Sequence, residues 1–216
     1  MLVTAFGIPG CGKSTIIRHV AALFDVDAYC EPEELEWPEV VLNREKTGYV
    51  TAVHWFRSVR VPRLFKARAL ANAGHLVFVD SYYDKLCNNF ISNPRMDWFI
   101  RRKDPYFDNI RELARLDYKY LPDADILIFL EVGKKDYDLM LKRRGRILDR
   151  ASGFQHEMQA DFKRAADKYI SHRRGRTRLV CYQNGYSSPG ESARELRKVL
   201  LPLIGQARDL KRHPSR

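Results

Sequence analysis

Residues Gly7 to Ser14 read Gly-Ile-Pro-Gly-Cys-Gly-Lys-Ser, a complete G-x-x-x-x-G-K-[ST] pattern near the start of a 216-residue chain. Glycines at these spacings let the backbone fold around a group of oxygens, with successive N–H groups pointing inward. A helix starting at Lys13 adds the positive end of its dipole. Lys13 would then neutralise the outer phosphates of a nucleoside triphosphate, and the Ser14 hydroxyl suits Mg²⁺. Gly7, Pro9, Gly10, Cys11, Gly12, Lys13, Ser14 and Thr15 are the candidate polyphosphate-binding residues. The alternative is a plain glycine turn. The strand-like run Leu2–Phe6 before it and the helical stripe after it favour the binding loop.

Two carboxylates follow strand-like runs. Glu31-Pro32 closes the run Asp27 to Cys30, and a carboxylate there can take a proton from an attacking hydroxyl. A merely acidic loop is the competing reading, because Glu33, Glu34 and Glu36 crowd the same segment. Asp80 ends the apolar run His75-Leu-Val-Phe-Val, where an acid associated with Mg²⁺ belongs; otherwise it only caps the next helix.

Cations complete the set. Lys142-Arg143-Arg144-Gly145-Arg146, followed by Asp149-Arg150, forms a basic segment whose planar guanidinium groups suit phosphate oxygens. Closing over a triphosphate, Arg143, Arg144 and Arg146 would stabilise the transferring group and exclude water. A solvated helix face is the alternative. Earlier, His54-Trp55-Phe56 interleaves with Arg57, Arg60 and Arg63, so aromatic faces and cations could hold a base or a phosphate; the rings also suit a core. The six histidines show neither metal spacing nor a triad.

The elements that must position these groups alternate in type. Five runs read as strands: Leu2 to Phe6, Asp27 to Cys30, His75 to Val79, Ile126 to Val132 and Arg178 to Tyr182. Between them lie helical patterns over Lys13–Phe24, Thr51–Ala73 and Asp104–Tyr118, with Pro62 expected to kink or restart the second. A closing helix is expected from about Glu191 to Leu203. Such alternation predicts an α/β fold around a mostly parallel sheet, with ligands at the carboxyl ends of its strands.

The bulk numbers narrow the class. Hydrophobic residues make up 45% and charged residues 30%, which excludes collagen-like, disordered and disulfide-dense chains. No apolar run approaches the ~20 residues of a membrane crossing, and no secretory pattern opens the chain, so a cytoplasmic protein is expected. Cys11, Cys30, Cys87 and Cys181 are scattered, which suggests neither zinc nor a disulfide framework. A net charge of +11 implies an anionic partner: nucleic acid, lipid or the phosphates of a small substrate.

Taken in order, these motifs resemble the deoxynucleoside kinase and thymidylate kinase family of P-loop phosphotransferases. The resemblance covers most of the chain: Gly12-Lys13-Ser14, Glu31-Pro32, the helix bearing Phe56-Arg57, Asp80, and Arg143-Arg144-Gly145-Arg146. It implies a P-loop NTPase fold with a five-stranded parallel sheet flanked by helices and an arginine-rich lid at about 142–153; the chain's length predicts a single domain over 1–206, and the charge of its end a flexible basic tail at 207–216. The resemblance also implies ATP as donor, Mg²⁺, a homodimer, and acceptor contacts from Glu31, Trp37, Phe56, Arg57 and Arg60.

The chain departs from the pattern in three places. Ser81 follows Asp80 where the family has arginine, leaving Arg57 or Arg60 to substitute; Arg57 stands where a glutamine is usual; and Trp37 comes one residue late. A nucleoside offers a neutral hydroxyl that needs a base such as Glu31, whereas a monophosphate needs cationic clamps. Both acceptors stay open. A nucleic-acid-binding ATPase or polynucleotide-end kinase is the alternative from another class, with no recognisable module behind it.

Overall fold

The structure, a computed structural model, describes residues 1–96, 100–145, 153–173, 176–186 and 188–212. Strand β1 (Leu2–Phe6) feeds helix α1 (Lys13–Leu23) through the glycine-rich loop. Then come β2 (Ala28–Tyr29), the short helices α2 (Glu39–Leu42) and α3 (Arg44–Thr47), and the long α4 (Tyr49–Asn72). Next are β3 (Val77–Val79), α5 (Tyr83–Leu86), α6 (Phe107–Tyr120) and β4 (Ile126–Val132). Helices α7 (Lys134–Arg144) and α8 (Gln159–Ser171), strand β5 (Arg178–Asn184) and α9 (Pro189–Arg212) complete the chain.

The strands form one parallel sheet in the order β2-β3-β1-β4-β5. Successive strand side chains point to opposite faces, and all five residues of β1 are buried, so both faces are covered. Helices α1, α4 and α8 pack on the strands, and α9 lies along α1. Because every strand runs the same way, Phe6, Tyr29, Val79, Val132 and Asn184 all end at one edge. Among the described residues no helix is long and apolar enough to cross a membrane.

Several boundaries differ from the sequence expectation. Strand β2 shrinks to two residues because it is an edge strand that pairs only with Phe78 and Val79. Strand β5 reaches Asn184 because it pairs along the whole of β4, from Ile126↔Arg178 to Val132↔Asn184. Helix α4 runs unbroken through Pro62, and α9 through Pro202. Helix α7 buries only Tyr137 and Leu141, too thin an apolar stripe to stand out in the sequence.

A partly buried charge cluster fixes the turn into β4. Lys85, 1% exposed, donates to the Leu121 carbonyl and pairs with Asp123 at 3.1 Å. The Tyr169 hydroxyl donates to Asp123 at 2.9 Å, and Arg173 Nε at 3.1 Å. Burial lowers the Lys85 pKa. Burial would raise that of Asp123, but Lys85, Tyr169 and Arg173 together hold it below the usual carboxylate range.

Candidate active site

The glycine-rich loop opens onto a cleft of about 1170 Å³ at the carboxyl edge of the sheet. Gly12 takes φ 86° where α1 begins, and a Cβ there would lie 2.7 Å from Asn184 Nδ2. Only glycine fits both conditions. Asn184, at the end of β5, donates from Nδ2 to the Cys11 carbonyl at 2.8 Å. Gly7 packs underneath, where a Cβ would come 2.7 Å from the Leu130 carbonyl oxygen.

Pro9, Gly10, Gly12, Lys13, Ser14 and Thr15 line the cleft; Gly7 and Cys11 lie buried beneath and shape the loop from below. Lys13 Nζ donates to the carbonyls of Gly7 at 3.2 Å and Ile8 at 2.9 Å, and stands 5.0 Å from the Tyr83 ring centroid. The Tyr83 hydroxyl also donates to Gly7. Burial opposes the Lys13 charge, yet Cys11, Tyr83 and Glu31 together hold the ammonium above the usual lysine range.

The two strand-terminal acids meet. The Glu31 backbone N–H donates to both Asp80 carboxylate oxygens, at 3.0 and 3.1 Å, while the Asp80 N–H donates to Tyr29. Arg63 adds a hydrogen bond to the Cys30 carbonyl, pinning the chain just before Glu31. Burial, with the neighbouring Glu31 charge, pushes Asp80 up to about 6 against the opposing pull of the Ser14 hydroxyl, the Glu31 N–H and Lys13. Ser81, where the resemblance would place arginine, is buried with its hydroxyl unpartnered.

Arg60 stands where a cation is wanted. Its Nη1 donates to Glu31 Oε1 at 3.0 Å, and its Nε and Nη2 to the Asp84 carboxylate at 2.6 and 3.1 Å. Burial works against its charge, but Asp84 and Glu31 hold the guanidinium firmly protonated. Phe56, whose ring centroid lies 5.5 Å from Arg60 Cζ, lines the cleft with Trp37, which meets Phe56 edge-on at 5.0 Å.

Arg57 is not brought to the cleft. It makes a two-pronged pair with Asp117 of α6, 2.7 Å at each contact, and Asp117 is only 7% exposed there. Its expected place among the acceptor contacts is corrected to a helix-to-helix tie, because α4 turns it toward α6. Trp55 packs on Phe56 and is likewise absent from the lining.

Arg143 and Arg144, at the end of α7, also line the cleft. Arg146, Asp149 and Arg150, with most of the expected lid, lie outside the described residues, as do residues 213–216 of the tail. Tyr83, Asp84 and Asn184 were missed in the sequence. Tyr83 and Asp84 sit just past Asp80, a proximity that could have flagged them; Asn184 carried no such signal.

Two donor groups here suit a divalent cation, the Ser14 hydroxyl and the Asp80 carboxylate. Among the described residues no group of three or more His, Cys, Asp or Glu is arranged to hold a metal ion by itself. The Ser14 and Asp80 pair is the size of donor set that Mg²⁺ takes from a protein, since it keeps waters and phosphate oxygens around one or two protein ligands.

Comparison with family models and with curated proteins gives no match. Among solved structures, deoxyadenosine kinase from M. mycoides with bound dATP superimposes with a TM-score of 0.66 at 18% identity, over 93% of this chain and 99% of that one. The same enzyme with bound dCTP gives 0.61 at 16% identity, over 94% and 100%. Thymidylate kinase from Candida albicans gives 0.56 at 17% identity, over 93% and 91%. The chain therefore shares the P-loop NTPase fold of these structures over more than nine-tenths of its length, and at these identities the likeness is one of fold.

Proposed function

We propose that this chain is an ATP-dependent kinase that transfers the γ-phosphoryl group to the 5′-hydroxyl of a nucleoside or deoxynucleoside. The observation that carries the reading is the junction of Glu31 with Asp80 beside Lys13 and Ser14, which gathers a base, a cation ligand and a phosphate cradle at one sheet edge. The fold neighbours, a deoxyadenosine kinase and a thymidylate kinase, support a kinase of nucleosides or nucleotides without choosing between the two acceptors.

In this reading the loop N–H groups and the α1 N-terminus hold the triphosphate, while Lys13, Arg143 and Arg144 neutralise charge on the group in transit. Arg146 is assigned the same role on sequence alone. Ser14 and Asp80 would hold Mg²⁺, which when bound offsets polyphosphate charge. Glu31 accepts the proton of the attacking hydroxyl, and Arg60, braced by Asp84, orients its carboxylate. Trp37 and Phe56 form the apolar wall for the base.

Arg60 is shared between two carboxylates, which leaves it little charge to offer an acceptor and favours a neutral one. The second reading is a nucleoside monophosphate acceptor, supported by Arg44 on the same cleft. The test is purified protein with labelled ATP and Mg²⁺, given each nucleoside and each monophosphate separately, with products resolved by mass. Labelled nucleoside 5′-monophosphates support the first reading, and labelled diphosphates the second. Turnover stimulated only by oligonucleotides, in a salt-sensitive manner, would instead support a nucleic-acid-dependent enzyme. The reading takes the enzyme to be cytoplasmic and a homodimer, and sedimentation of the purified chain checks the second.

A further inference from the structure

The phosphate loop is held by its carbonyls from outside. Tyr83 takes Gly7, Asn184 takes Cys11, and the Tyr137 hydroxyl of α7 donates to Pro9 at 2.9 Å. Tyr137 is fully buried, and its hydroxyl also lies 3.3 Å from the side-chain amide of Gln155, itself 8% exposed. A phenol carries one proton, here divided between two acceptors, the Pro9 carbonyl at 2.9 Å and Gln155 Oε1 at 3.3 Å, with the shorter contact the stronger.

The surroundings are tight. A Cβ at Gly10 would lie 2.6 Å from Leu141 Cδ2 and 3.3 Å from Tyr137 Cε2, so α7 packs directly on the loop backbone. The turn Gly153–Met158 that carries Gln155 is anchored to the end of β4: a His156 ring nitrogen bonds the Val132 carbonyl at 2.8 Å. The Val132 N–H donates to Gln159 at 2.8 Å. One phenol thus joins the phosphate loop, α7 and the chain that returns to α8. Arg143 and Arg144 follow it by about two helical turns, so a small rotation of α7 on the loop displaces both guanidinium groups.

We infer that Tyr137 is a positioning residue: its hydroxyl holds α7 in register on the phosphate loop and so sets where Arg143 and Arg144 stand relative to a bound triphosphate. The inference rests on the donor site proposed above. A phenylalanine would fill the same volume, so the hydroxyl contributes register, and its effect must pass through the arginines.

The test is a double-mutant cycle on ATP affinity, measured calorimetrically with Mg²⁺ and accompanied by thermal unfolding. Tyr137→Phe is expected to weaken ATP binding about tenfold. The same change in an Arg143→Ala/Arg144→Ala background is expected to have little further effect, because the groups it positions are gone. Gln155→Leu, which leaves the ring in place, is expected to show the same pattern if Tyr137→Phe folds poorly. Unchanged affinity in both single variants overturns the role, and so does an undiminished loss in the arginine-free background. A wild-type chain that binds no ATP overturns the donor site and this inference together; wild-type binding with unaffected variants removes this inference alone.

Discussion

The backbone N–H of Glu31 donates to both carboxylate oxygens of Asp80, tying the end of β2 to the end of β3. The candidate base therefore stands on the candidate metal ligand, and the two acids are one construction. Their side chains are nonetheless separable by substitution.

Glu31→Gln keeps its backbone N–H and hence the tie to Asp80. It is expected to lower kcat for nucleoside phosphorylation by about 10²- to 10⁴-fold while ATP affinity stays the same. Steady-state kinetics beside calorimetry checks this, and a fully active variant would rule out Glu31 as the base.

The arginines of α4 should separate by effect. Arg57→Ala orphans the nearly buried Asp117 carboxylate and is expected to cost about 2–3 kcal/mol of stability without reducing turnover. Arg60→Ala leaves Glu31 and Asp84 facing each other uncompensated and is expected to lower kcat about 10²-fold. Denaturant unfolding and activity measured on both variants would reveal any reversal of this pattern.

Gly12→Ala meets two obstacles, a positive φ and the Asn184 amide 2.7 Å from the new Cβ. The conformational term alone costs about 1–2 kcal/mol. ATP affinity should fall more than stability does, because the displaced Asn184 releases the Cys11 carbonyl within the loop. Paired titration and melting measurements compare the two losses.

Asp123 gives a pH signature. Its folded-state pKa is lowered, so its contribution is present above the unfolded carboxylate value of about 3.9 and is lost as pH falls through the lower folded value. Asp123→Asn is expected to cost about 2–3 kcal/mol at pH 7, less than a fully buried pair would, because Asp123 is 30% exposed. The difference from wild type should shrink below pH 4. A gap that stays constant from pH 7 to pH 3 in chemical denaturation would contradict this assignment.

Much of the architecture was legible because it is written locally. The apolar runs of β1 and β4 are bounded as the sequence indicated, and the loop between β1 and α1 is a contiguous motif. Glu31 and Asp80 could be placed at one edge because parallel strands end together. What stayed hidden depends on partners far along the chain. Arg57 and Arg60 lie three residues apart on one helix, and nothing local says which one faces the cleft. Asp117 and Asp84, on two other elements, divide them. Helix α7 carries little sequence signal because it buries two side chains, one of them Tyr137, whose partners Pro9 and Gln155 lie on opposite sides of it in sequence.

By itself, then, the sequence determined the strand-loop-helix that makes an anion cradle, the parallel sheet around it and the kinds of groups at its edge, because glycine spacing and apolar periodicity act over a few residues. The tertiary structure alone decided which arginine serves Glu31, which side chains brace the loop and how α7 sits on it. Those choices are made where buried charges and carbonyls from distant segments must find partners, a condition that only the packed chain imposes.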